Sequence, residues 1–287
     1  MTTGNRMPGP RPAPGASRGL GRTETADRPP ARFPSLRAFD DAILAELVAR
    51  SARRDPPVPP FRSLAGARQY RRLYALVRRH VRAGSRVLDW GTGCGHLSYY
   101  LRRSGFRTVG YSIESRSEAG WLDEPYDRWV SGSECGPVRL PFAEGEFDAV
   151  ASIGVLEHVR ETGGDERSSL AEIERVLRPG GVFLCWHFPN RGSWIDWVAT
   201  RTPGRHHHLY RYVRADIERL TRHARLQLLG AGRYGILPRN SVHRLLGPLA
   251  GTRLGADAWD ALDRTLGAVL APLCQNWWFV ARKPAGE

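Results

Sequence analysis

The stretch Val87-Leu88-Asp89-Trp90-Gly91-Thr92-Gly93-Cys94-Gly95-His96-Leu97 sets three glycines at alternate positions directly behind an acid. An apolar pair that runs into an acid reads as the end of a buried strand. The residues Gly95 to Arg103 that follow read as a helix, whose first turn offers backbone N–H groups without partners. Glycine suits a turn that a ligand must approach closely, because any side chain would stand in the way. The chemistry this favours is the holding of a nucleotide-like group. Two common nucleotide loops are excluded by spacing. A dinucleotide fingerprint would need G-x-G-x-x-G with its acid about 20 residues later. A phosphate loop would need Lys-Ser/Thr after its last glycine, where this chain has His96 and Leu97. Two histidines, His158 and His187, each follow a strand-like run, and an imidazole titrates where a proton can be moved near neutral pH.

The elements that must position these groups are legible from their periodicity. Thr108 to Ser112 reads as a second strand. Phe147 to Ile153 reads as a buried parallel strand with Asp148 at its entrance, whose carboxyl end delivers Glu157 and His158 to the rim where open α/β sheets bind ligands. Leu170, Ile173, Val176 and Leu177 line one face of a helix that Pro179-Gly180-Gly181 would stop, before a strand Val182 to Trp186. A helix is expected at Val213 to Arg225, a sixth strand at Arg225 to Tyr234, and a seventh at Asn276 to Arg282. Roughly 40 residues separate the last two, far more than the 2 to 5 of a hairpin loop. That insert, about 240–273, carries helical apolar faces, Val242, Leu245, Leu246 and Leu249, then Trp259, Leu262, Leu266, Val269, Leu270 and Leu273.

Three signatures in this order resemble the class I S-adenosylmethionine-dependent methyltransferases. The alternate-glycine loop resembles the family's first motif. Leu140-Pro141-Phe142 through Phe147-Asp148 to Leu156-Glu157-His158-Val159 resembles the "LPF…FD…LEHV" signature of the small-molecule branch, and Arg175 to Gly181 resembles the "RVLRPGG" turn. The resemblance covers about residues 85 to 235. It implies an α/β fold, a Rossmann-like doubly wound seven-stranded sheet with helices on both faces. It also implies S-adenosylmethionine as cofactor, held by Asp89, Gly91, Gly93, Gly95 and Glu157. The family's ribose-binding acid aligns with Ser112, and Glu114, two residues on, is the nearest carboxylate. Glu114 either serves the ribose or lies in a solvated turn. The family's adenine-binding acid aligns with Gly136, and Glu134 is the displaced candidate.

His158 is the first candidate for a catalytic base and His187 the second, with a pocket-shaping role as the alternative for His158. In resembling enzymes the stretch after His187 walls the acceptor pocket, which nominates Trp194, His208, Tyr210 and Tyr212. Consecutive histidines, His206, His207 and His208, could suggest metal. No metal site is expected, because sequence neighbours point in different directions and no paired carboxylate stands near them in sequence.

Composition bounds the rest. The 287 residues suit one substantial core with additions. The net charge of +14 would favour anionic partners, but Lys283 is the single lysine, and so strong an arginine bias can arise from base composition alone. No nucleic-acid-binding module is recognisable. The four cysteines are scattered without C-x-x-C spacing, which fits reduced thiols in a cytoplasmic protein. No apolar run approaches the roughly 18 residues that span a bilayer. Residues 1–34, rich in Pro, Gly and Arg, read as a disordered tail, and residues 35–84 as a helical extension capping the cofactor side, ahead of the methyltransferase domain at 85–287. The insert reads as extra core or a dimer face, or else as a lid over the acceptor or a lipid-docking surface. The expected activity is methylation of a small molecule, with a natural product or a lipid-linked intermediate as candidate acceptors. Methylation of RNA or ribosomal protein is the alternative, and a non-catalytic binding protein the third reading.

Overall fold

A computed structural model describes residues 33–115 and 117–286; the expectation of a disordered tail falls almost wholly outside these. Helix α1, Leu36–Ser51, starts where the Ser35 hydroxyl accepts the Ala38 amide, and buries Phe39, Ile43, Leu44 and Leu47. Pro56 to Pro60 end it, since proline lacks the donor a helix needs. A short helix α2, Leu64–Ala67, and α3, Tyr70–His80, complete the extension. Strand β1, Arg86–Trp90, then leads through the glycine loop into α4, His96–Arg103. The chain continues with β2, Arg107–Ser112, β3, Arg128–Ser131, and β4, Phe147–Ile153. A 3-10 helix spans Leu156–Thr162, followed by α5, Glu166–Val176, β5, Leu177–Pro189, and α6, Trp194–Ala199. Last come α7, Arg214–His223, β6, Gln227–Tyr234, the insert helices α8, Val242–Leu246, and α9, Arg253–Val269, and β7, Asn276–Arg282.

The seven strands form one sheet in the order β3-β2-β1-β4-β5-β7-β6. Pairings from β3 to β5 are parallel, and β7 runs antiparallel to both β5 and β6. Helices cover both faces. On one, Phe39, Tyr74, Tyr100 and Leu101 pack on Val87, Ala149 and Leu184. On the other, Leu170, Ile173 and Ile217 pack on Leu88, Val150 and Phe183. Order reverses between β1 and β4, the crevice where open α/β sheets bind ligands.

One expectation needs correction. The Pro179-Gly180-Gly181 turn does not stop a helix that runs through Leu177. Helix α5 ends at Val176, and Leu177 already pairs with Phe147, so that β5 begins before the proline. The insert is only partly core. Val242, Ala250 and Ala256 are buried, while Leu245, Leu249, Leu254, Leu262 and Val269 face outward. Among the described residues, no helix is long and apolar enough to cross a membrane.

The N-terminal extension and the insert are fastened to each other. Arg68, 1% exposed, and Arg71 both reach Asp257 of α9, at 2.6 and 3.1 Å, and Arg37 joins them at 3.1 Å. In the extension itself, buried Arg78 spans Asp40 at 2.6 Å and the Tyr100 hydroxyl at 2.5 Å. Tyr74 and Tyr100 stack with ring centres 3.5 Å apart.

Candidate active site

The glycine loop is wedged against its neighbours. Gly91 has φ +75°, and a Cβ there would lie 2.3 Å from Val155 Cγ2. Gly95 has φ +78°, and its Cβ would lie 2.4 Å from that of Ala119. Left-handed backbone with no room for a side chain leaves glycine as the fitting residue at both. The amides of Gly91 and Thr92 both donate to the Tyr111 carbonyl, tying the loop to the end of β2.

Asp89 works from inside the loop. Its carboxylate, 1% exposed, accepts the Ser98 amide at 3.0 Å and the Ser98 hydroxyl at 2.6 Å. It therefore satisfies one of the open donors in the first turn of α4 from the end of β1. Burial pushes its pKa up to about 6, against the lowering effect of Ser98.

Two cavities open at the crevice and share Gly91 and Ser112. One, about 210 Å³, is lined by Gly91, Thr92, Gly93, Ser112, Glu114 and Glu118. The other, about 130 Å³, has largely apolar walls that include Tyr111, Ile113, Pro137, Val155 and Val159, with His158 at its edge. Gly91, Gly93, Ser112 and Glu114 thus line one hollow, and Ser112 Oγ accepts the Glu114 amide at 3.2 Å. Glu134 sits in an exposed turn and lines neither cavity. Ile113 and Pro137, which carried no chemical signal in the sequence, supply flat apolar walls instead.

The two histidine candidates differ in what they can do. His158 Nδ1 lies 3.0 Å from Glu161 Oε1. An ionised carboxylate only accepts, so Nδ1 carries the hydrogen and Nε2 keeps a lone pair. His187 is held by Tyr234, whose hydroxyl accepts the His187 amide at 2.9 Å and donates to Nδ1 at 2.8 Å. That leaves the hydrogen on Nε2. Burial, followed by the nearby His96, His208 and Arg239, pushes the His187 pKa down to about 3. With Tyr234 donating to Nδ1, the free nitrogen of His187, the second base candidate, is a donor suited to orienting an acceptor. His96 is also buried, with its ring 4.5 Å from Tyr70 and 5.2 Å from Phe61, and burial pushes its pKa down to about 4. Tyr70 meets His187 edge-on at 5.9 Å, so the N-terminal extension roofs this side of the crevice.

Of the expected acceptor-wall residues, Tyr212 is core. Its ring stacks on Phe188 at 3.9 Å, and its hydroxyl donates to buried Glu166. Trp194 is partly exposed and donates its indole N–H to the Ile236 carbonyl at 2.7 Å. Tyr210 is partly exposed beneath the Arg160 guanidinium, 4.6 Å away. His208 Nδ1 meets Asp196 at 3.1 Å. Glu157 is 3% exposed, its Oε2 lacks any hydrogen-bond partner, and burial, with the Glu161 charge, pushes its pKa up to about 8. Glu157, His158 and His208 each bring one oxygen or nitrogen within 4.8 Å of the others. No paired carboxylate stands near these histidines in sequence, but the fold carries the 200–212 segment back over the end of β4 and brings Glu157 to His208. Tyr70, Tyr234, Asp196 and Glu161 were not visible as site residues.

Residues 88–185 match the family model described as a methyltransferase domain. The chain is 33% identical over 144 residues to the methyltransferase GfsG of Streptomyces halstedii, covering 47% of this chain and 48% of that one. It is 31% identical over 115 residues to the ubiquinone/menaquinone biosynthesis C-methyltransferase UbiE of Cellvibrio japonicus, covering 38% and 45%. It spans about half the length of the curated relatives it matches. Its fold is similar to that of the 1,6-didemethyltoxoflavin-N1-methyltransferase of Burkholderia thailandensis, with a TM-score of 0.50 at 21% identity over 89% of this chain and 93% of that one.

Proposed function

We propose that this chain, which belongs to the class I S-adenosylmethionine-dependent methyltransferases, methylates a small molecule. S-adenosylmethionine is its cofactor, and when bound it supplies a sulfonium methyl group for in-line displacement by a nucleophile.

The observation that carries the reading is the common wall of the two cavities, Gly91 and Ser112. A nucleoside needs a flat apolar slot for its base beside a polar hollow for its diol, and the paired cavities match that demand. Ile113, Pro137 and Val155 would sandwich the base. Ser112 and Glu114 would take the ribose hydroxyls, with backbone at Gly91 and Gly93 lying close against the nucleoside. Thr92 Oγ1, buried on the polar side without a hydrogen-bond partner, fits a site that expects a further polar group. Asp89 positions the loop through Ser98 rather than reaching the ligand itself.

On the acceptor side the chain's work is to orient, exclude water and remove a proton. His158 is the base in this reading, because Glu161 holds Nδ1–H and leaves the Nε2 lone pair free. His187 contributes a neutral Nε2–H that can orient an acceptor oxygen, and Trp194, His208 and Tyr210 form the wall. Relatives that act in quinone biosynthesis support a small acceptor.

The test begins with calorimetric titration of S-adenosylhomocysteine, with NAD as the control. Purified protein and methyl-labelled cofactor are then incubated with fractionated cell extract. Label in the organic-soluble small-molecule fraction is the expected result. Label in RNA or ribosomal protein would overturn the acceptor class, and absence of binding in folded protein would overturn the nucleoside site.

A further inference from the structure

We propose that Glu157, His158 and His208 form a binding site for a divalent transition-metal ion of the zinc class, at the edge of the acceptor side. One oxygen and two imidazole nitrogens lie within 4.8 Å of one another. A two-histidine, one-carboxylate set that leaves further positions open is the donor pattern of reactive rather than structural zinc and iron sites.

Three features lift this above a chance cluster. The first is the orientation of the imidazoles. His158 Nδ1 is hydrogen-bonded to Glu161 at 3.0 Å, and His208 Nδ1 to Asp196 at 3.1 and 3.3 Å. In both rings a carboxylate takes the Nδ1 hydrogen and leaves Nε2 with its lone pair, the arrangement that fixes a metal-ligating histidine. Two independent carboxylate–imidazole pairs beside one buried carboxylate suit a metal site better than a solvated histidine loop.

The second is Glu157. Its side chain is 3% exposed, yet Oε2 has no hydrogen-bond donor. A buried oxygen without a donor is costly unless something positive completes it. Arg160, three residues further along the chain, is engaged with Glu166 at 2.8 Å and with the Tyr210 ring.

The third is support of the loop that carries His208. Asp196 lies in α6, whose start is capped by the Ser193 hydroxyl accepting the Asp196 amide at 3.1 Å. Asp196 also accepts the His208 amide at 3.3 Å. The carboxylate that orients the ring therefore anchors its backbone too.

An ion here would take the lone pair that His158 otherwise offers as a base, and in the loaded protein the metal would replace that role: an acceptor hydroxyl coordinated at one of its open positions would be acidified and would release its proton to water. That consequence rests on the methyl-transfer reading, whereas the ion site itself does not.

The experiment uses the full chain prepared without a polyhistidine tag and stripped with a chelator. Zinc is titrated by calorimetry in the absence of cofactor, and cobalt is added in parallel to read its visible absorption. One ion per chain at low-micromolar affinity or tighter is expected, with a cobalt spectrum of low coordination number. His208→Asn should weaken zinc about 100-fold and erase that spectrum. Asp196→Asn, which touches no ion, should weaken zinc about 10- to 100-fold, as loss of an orienting carboxylate does. His206→Ala, at a neighbouring ring 5.5 Å from His208, should leave affinity within about threefold. Failure to bind zinc, or binding undiminished in His208→Asn while His206→Ala abolishes it, would overturn the proposal. Cofactor binding, measured on the same samples with S-adenosylhomocysteine, reports separately on the methyltransferase reading.

Discussion

Replacing His96 by phenylalanine should make the protein markedly more resistant to acid while leaving it almost unchanged at neutral pH. The ring is 8% exposed, packs between Tyr70 and Phe61, and its Nε2 has no hydrogen-bond partner. Protonating it means placing a cation among aromatic rings. Its pKa of about 4 in the fold, set by burial, compares with about 6.5 for a free imidazole. A base whose folded pKa is depressed leaves stability intact above its unfolded pKa and erodes it as pH falls through the gap. The erosion therefore runs from about pH 6.5 to about pH 4, where it is complete. Linkage puts it at about 2 kcal/mol by pH 5 and about 3 kcal/mol at the end of the interval, against almost nothing at pH 7.5. Urea unfolding of both proteins at pH 7.5 and pH 5 measures the double difference. Other titrating groups cancel in that comparison. Asp89, raised to about 6, acts in the opposite sense, favouring the fold as pH falls, and is present in both proteins. His187, lowered to about 3, is likewise common to both. If both proteins lose the same stability between the two pH values, within about 0.5 kcal/mol, then His96 is not the buried neutral imidazole this reasoning requires.

Gly91→Ala should weaken S-adenosylhomocysteine at least tenfold by calorimetry. The substitution costs about 1–2 kcal/mol in left-handed backbone, and its methyl group would press on Val155, 2.3 Å away, which lines the apolar cavity. Equal affinity would remove the loop from the binding site. Arg78→Met should cost about 3–5 kcal/mol in thermal or urea unfolding by leaving buried Asp40 without its partner. Adding Asp40→Leu should restore most of that loss, and a double variant no more stable than the single would refute the account.

What could be read from the chain alone was whatever lies close along it. The glycine loop, β4 with its Glu157-His158 ending, and the β6–β7 pair around a long insert are local patterns, and all of them stand where spacing put them. Side-chain direction at the end of an element is not local. Asp89 was legible as an acid before a glycine loop, but Ser98, nine residues on, turns it inward. Tyr212 was an aromatic in the right stretch, but Phe188 and Glu166, from two other elements, draw it into the core. His187 and His158 are the same residue type after similar strands. They acquire opposite hydrogen-bonding character because Tyr234 donates to one Nδ1 and Glu161 accepts from the other. The convergence of Glu157 and His208 across some fifty residues depends on how α6 folds back, which no periodicity reports.

The clasp of Arg37, Arg68 and Arg71 on Asp257 makes the two additions to the sheet a single unit for anyone who would rebuild this protein. Neither can be trimmed or grafted alone. A shortened insert would take Asp257 from buried Arg68 and leave it only Asp41, at 3.4 Å, and a truncated N-terminus would open the aromatic roof beside His96 and unmoor α9. A chimera that borrows these additions from a relative must exchange residues 35–84 and 240–273 together, although nearly the entire sheet lies between them in the chain.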